Sequence, residues 1–98
     1  MDASAIEMRA PVVLDVDVSD DTFSVTLSDG RALSVPCRWY PRLVHATATE
    51  RDGWTIIDGG TGIHWEDIDE DISLAGLLAG TPSLESQESL RRWLALRA

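Results

Sequence analysis

Apolar and polar residues alternate from the start of the readable pattern. Val12, Leu14, Val16 and Val18 interleave with Val13, Asp15, Asp17 and Ser19, the period of two that marks a half-buried strand. Phe23, Val25 and Leu27 alternate in the same way with Thr22, Ser24 and Thr26. A turn at Asp20-Asp21 then predicts the pairs Val18/Phe23, Val16/Val25 and Leu14/Leu27, apolar against apolar throughout. The next connection is Ser28-Asp29-Gly30. A two-residue Asp-Gly loop would put apolar residues on opposite faces. A three-residue loop with Gly30 in the left-handed region pairs Val25 with Leu33 and Phe23 with Val35, and is preferred. Pro36 ends the third strand, because it has no N–H to give the ladder.

The period then changes. Pro41 is pre-shaped for a helical first turn leading into Leu43-Val44-His45-Ala46. Thr47-Ala48-Thr49-Glu50 has the spacing of a capping box, with Gly53 as the stop. A second hairpin follows across Asp58-Gly59-Gly60-Thr61, pairing Trp54 with Trp65 and Ile56 with Ile63 on one face and Thr55 with His64 on the other. Glu66-Asp67-Ile68-Asp69-Glu70-Asp71 reads as an acidic loop. Ser73 to Ala79 reads as a short helix closed by Gly80, with Asp71 or Ser73 as its cap. A last helix is predicted from Pro82-Ser83, with Glu85 and Glu88 early, Arg91, Arg92 and Arg97 late, and Leu90, Trp93, Leu94 and Leu96 on its apolar side. Strands, short helices, strands and helices in that order give an α+β fold built on a small antiparallel sheet. Residues 1–80 form the acidic domain, and residues 81–98 form a helix packed on it or on a partner.

Charge sharpens this outline. The 98 residues carry a formal net charge of −9 with seventeen acids and eight Lys plus Arg, all of them Arg. Residues 1–80 hold −10 of it and residues 81–98 hold +1. A chain so acidic does not neutralise a run of phosphates, so direct nucleic-acid binding is not expected. No apolar stretch approaches the roughly 20 residues of a membrane helix. The segment Met1–Glu7 has neither the basic nor the apolar region of a secretory signal, and the single Cys37 forms no internal disulfide. A cytoplasmic protein is expected.

The chemistry-bearing residues form no catalytic set, and neither an enzyme nor a cofactor is expected. Asp67, Asp69 and Asp71 open like a calcium loop, but Ile72 and Leu78 stand where such a loop needs Gly and Glu. His64, near Asp67, has no second His or Cys for a metal. It reads as a hydrogen-bonded surface histidine, as does His45. Cys37 beside Arg38 reads as a small packed residue, with no orienting group for a nucleophile. Gly59-Gly60-Thr61-Gly62 lacks the Lys and the following helix of a phosphate cradle. Trp39 and Trp93 remain as core or interface anchors.

Ser28-Asp29-Gly30-Arg31, Val35-Pro36, Trp39-Tyr40-Pro41-Arg42-Leu43, Ala46-Thr47, Glu50-Arg51, Trp54, Gly62-Ile63-His64-Trp65 and Asp69-Glu70-Asp71-Ile72-Ser73 with Leu77-Leu78 together resemble a bacterial domain-of-unknown-function family, number 2442, from about Val13 to Gly80. The resemblance implies a small α+β domain. It also implies an association with toxin–antitoxin-like gene pairs, and in some members a C-terminal helix-turn-helix. Here the residues after Gly80 suffice for one helix. The resulting expectation is a non-catalytic, antitoxin-like module that binds a small basic protein. Its contacts would be Glu66, Asp67, Asp69, Glu70 and Asp71, with Trp93 adding apolar contact. An alternative is an anti-CRISPR-type inhibitor mimicking DNA, with Asp15 and Asp17 on one strand face about 7 Å apart as a secondary acidic row. A third reading is a transcriptional regulator acting as a homodimer through the C-terminal helix.

Overall fold

Phe23 stands at the centre of the molecule and explains how its two sheets meet. It is 1% exposed, and its ring makes edge-on contacts with Tyr40 at 5.9 Å and Trp65 at 5.6 Å between centroids. Edge-on pairs place the positive rim of one ring on the negative face of the next. In this computed structural model, which describes residues 10–97, Phe23 belongs to one three-stranded antiparallel sheet and Trp65 to another. The first sheet contains β1 (Val13–Val18), β2 (Thr22–Leu27) and β3 (Ala32–Pro36); the second contains β4 (Trp54–Ile57), β5 (Gly62–Trp65) and β6 (Glu70–Ser73). Between them run a 3-10 turn (Cys37–Trp39) and the short helices α1 (Pro41–His45) and α2 (Ala48–Arg51). Helices α3 (Leu74–Ala79) and α4 (Gln87–Arg97) complete the α+β fold.

The β2/β3 hairpin has the predicted register, Phe23 opposite Val35 and Val25 opposite Leu33, with Gly30 at φ 92° in its turn. The first hairpin closes on Asp20-Asp21, since Ser19 N–H donates to Thr22 O at 2.9 Å. Its far end corrects the expected pairing of Leu14. A bulge between Val13 and Asp15 puts Val13 opposite Leu27, so Val13 is buried and Leu14 is 59% exposed. Val12-Val13-Leu14 is apolar at every position, so alternation alone does not choose among them. Two contacts do. Val12 exchanges hydrogen bonds with Ser28, and its side chain lies so close to Gly60 that a Cβ there would stand 2.5 Å from Val12 Cβ. Gly60 also has φ 99°, so only glycine suits the position.

The capping box at Thr47 and Glu50 is present, and α3 begins at Ser73, whose hydroxyl accepts from Gly76 N–H, and ends at a left-handed Gly80. Three further expectations fail. The run 66–71 is not wholly a loop, because Glu70 to Ser73 pair with Trp65 to Gly62 as a third strand. The last helix begins at Gln87, not at Pro82-Ser83. Residues 81–86 instead run extended, because Ser83 N–H donates to Trp39 O at 2.9 Å and Ser86 takes the capping role, its hydroxyl accepting from Ser89 N–H at 3.0 Å. Leu90, Trp93 and Leu94 are half-buried, whereas Leu96, expected on the apolar side, is 86% exposed. Residues 1–9 and Ala98, the ends of the two predicted segments, lie outside the described residues.

Candidate functional site

The acidic run is carried by the hairpin that joins β5 to β6. Opposing residues share a face, so the register Ile63/Ile72 and Trp65/Glu70 puts Glu70 beside the core, while His64/Asp71 points outward. Ile68 is fully buried and anchors the turn from within. Asp69 adopts φ 50°, a left-handed conformation that aspartate tolerates better than most side chains.

Outside, His64 is held between two carboxylates. Its Nδ1 lies 2.5 Å from Asp71 Oδ1 and its Nε2 lies 2.9 Å from Glu66 Oε2. Both hydrogen bonds favour the charged imidazolium, Glu66 foremost and Asp71 next, and hold its pKa above the usual value of 6.5. Asp67, the neighbour suggested by sequence, is not one of its partners. Sequence spacing favoured Asp67; strand pairing brings Asp71. Among the described residues no group of three or more His, Cys, Asp or Glu is placed to hold a metal ion.

Inside, Glu70 is only half exposed, which corrects its place among the outward acids. Burial raises its pKa to about 7, Glu85 adds to the rise, and Arg42 opposes it. Glu70 and Tyr40 border a cleft of about 300 Å³ between β6 and residues Thr81 to Leu84. Burial also raises the Tyr40 hydroxyl, with Glu70 contributing.

Arg42 holds this region together. Its Nε and Nη2 bind the Glu85 carboxylate at 2.7–3.0 Å, and its Nη1 donates to Ile68 O at 2.8 Å, so one guanidinium ties the acidic turn to the chain before α4. Arg42 and Arg97 also flank the Trp93 ring at 5.0 and 4.5 Å. Arg97 in turn binds Glu50 Oε1 and Oε2, the same carboxylate that completes the capping box of α2. Trp93 is therefore engaged within the chain, and α4 rests on the domain through it. Glu85, expected to serve the dipole of the last helix, serves Arg42 instead. Within Trp39-Tyr40-Pro41-Arg42-Leu43 nothing local assigns Arg42 a role; an Arg directly after a helix-opening Pro, with an unmatched downstream Glu, is the signal the sequence offers.

The remaining positions are simpler. Cys37 is 1% exposed, and burial raises its thiol despite Arg51. Asp15 and Asp17 are both exposed, opposite Thr26 and Ser24 on the first sheet, whereas the hairpin acids belong to the second. No helix among the described residues is long and apolar enough to cross a membrane.

A family model described as "Protein of unknown function (DUF2442)" matches residues 13–83. The crystal structure of a protein of unknown function from Rhodospirillum rubrum is similar to this one, with a TM-score of 0.68 and 30% identity, covering 81% of this chain and 98% of that one. No curated protein matches the chain.

Proposed function

The chain belongs to the DUF2442 family of proteins of unknown function, and on that footing we propose that it is a non-catalytic, antitoxin-like module that captures a small basic protein in the cytoplasm. The observation that carries this reading is the distribution of paired charge. Among the described residues Arg31, Arg42 and Arg97 bind carboxylates within the chain, and Arg51 donates to Leu43 O and Val44 O. Glu66, Asp67, Asp69 and Asp71 are exposed; among the described residues their salt bridges are those of Glu66 and Asp71 with His64, and Arg42, which lies near Asp69, spends its carboxylate contacts on Glu85. A surface of one sign steers a partner of the opposite sign and selects against others.

The test is the triple variant Glu66→Lys, Asp67→Lys, Asp69→Lys. Glu70 is left alone, since a Lys there would face Arg42. A small basic protein co-purified from the native host should bind the variant roughly tenfold or more weakly, and the wild-type affinity should fall as salt rises. If calorimetry gives equal affinities for wild type and variant, the hairpin is not the binding surface and the reading fails.

A further inference from the structure

Strand β6 is an outer strand of its sheet, and an open edge presents unpaired N–H and C=O groups. The ladder decides which groups these are. Leu74 N–H donates to Thr61 O at 2.9 Å, so Thr61/Leu74 is a hydrogen-bonded pair. In an antiparallel ladder such pairs alternate with non-bonded ones. Ile63/Ile72 then falls in the bonded class, and Gly62/Ser73 and His64/Asp71 fall in the other. The N–H and C=O of Asp71 and the N–H of Ser73 therefore point away from β5. No backbone partner from the rest of the described chain meets them. Ser73 C=O is already committed, because Ser73 caps α3.

Protein lies beside this edge without covering it. Residues 81–84 are drawn the other way: Ser83 N–H goes to Trp39 O, the Tyr40 hydroxyl comes within 3.5 Å of Thr81 O, and Glu85 binds Arg42. What remains between is the cleft of about 300 Å³, bordered by all four residues of β6. That lies at the small end of ligand cavities, which run roughly 300–1,000 Å³. Its charge is one-sided. Glu70 and Asp71 border it, Glu85 lies near Glu70, and the nearby cation Arg42 is already bidentate to Glu85. Leu84, 92% exposed, supplies an apolar lip.

We propose that this edge receives an extended segment of the basic partner as an added strand, with a Lys or Arg side chain over Glu70 and an apolar one against Leu84. The proposal rests on the reading of a basic partner and specifies how that partner is held. Main-chain hydrogen bonds to Asp71 and Ser73 supply affinity, and the alternation of side chains supplies selectivity.

The probe is a six-residue peptide of alternating Val and Arg with blocked ends, titrated into the full ¹⁵N-labelled chain. Asp71 and Ser73 amides should shift and become protected from exchange. N-methylation of the four central peptide residues keeps charge and side chains but removes main-chain donors, and should weaken binding roughly tenfold. Equal binding of the methylated peptide overturns the added strand. So do shifts confined to Glu66–Asp69, an outcome that leaves the basic-partner reading intact. A peptide with Ser in place of Arg should bind more weakly. If it binds as tightly, with Asp71 and Ser73 still shifted, the edge is real but the basic partner is not.

Discussion

The two charged regions of this chain treat protons in opposite ways. Beneath α4, Glu85 and Glu50 are paired with Arg42 and Arg97, and both carboxyls are held below the usual value, Glu50 at about 2 through Arg97 and the capping bond. In the hairpin, Glu70 is raised to about 7 by burial, and His64 is raised by Glu66 and Asp71. Linkage gives these regions opposite signs. The first contributes stability above the unfolded carboxylate value of 4.5 and loses it as pH falls through the folded values. The second contributes stability at low pH and loses it as pH rises through the folded values, near 7 for Glu70. A net charge of −9 reveals neither; pairing and burial decide.

Breaking the paired region should have the largest effect. Arg42→Met leaves Glu85, whose side chain is 8% exposed, without its cation and Ile68 O without its donor. The expected loss is about 3 kcal/mol by urea denaturation, toward the lower end for breaking a buried pair. A loss under about 1 kcal/mol would class this pair with surface ion pairs. Adding Glu85→Leu should restore much of the loss, since the stranded charge goes with it. Trp93→Ala comes next. It removes a half-buried ring and two cation contacts, at a cost of about 2 kcal/mol, with faster amide exchange along α4 but unchanged exchange in β2.

Glu70→Gln probes the other region. The wild type should lose stability between about pH 4.5 and 7 as Glu70 is forced to ionise in its half-buried place. The Gln variant should flatten that part of the profile. At pH 8 it should be more stable on the order of 1 kcal/mol, discounted for the solvent that reaches the group. Thermal melts across the range check this. An unchanged slope would mean that Glu70 ionises freely.

The regions also differ in how legible they were. The Trp54/Trp65, Ile56/Ile63 and Phe23/Val35 registers follow from alternation and turn length, both local properties. Strand β6 was hidden because Glu70 occupies a core-side position that a pattern reader assigns to an apolar residue. The series Ile68, Glu70, Ile72, Leu74 alternates correctly once that acid is read as half-buried. The start of α4 escapes local reading because Pro82-Ser83 carries a helix-opening signature that the distant Trp39 carbonyl overrides. The bulge at Leu14 depends on a contact between Val12 and Gly60 that no local pattern contains. The acids of the candidate site were therefore visible by composition, but their inward or outward sense was not. That sense came from strand pairing, as did the link from Arg42 to Glu85.

His64 offers the smallest effect and the most direct view of the contrast. Its ring is exposed enough that global stability reports it poorly, so the measurement is the imidazole itself, by NMR titration. The midpoint should lie above 6.5, because each ring nitrogen faces a carboxylate that the charged form can reward with a hydrogen bond. Glu66→Gln should bring it down most and Asp71→Asn somewhat less. Arg42→Met should leave it near the wild-type midpoint wherever the hairpin stays folded, since Arg42 belongs to the other region. If Arg42→Met moves His64 as far as Glu66→Gln does, the two regions share one electrostatic field, and the opposition between them dissolves.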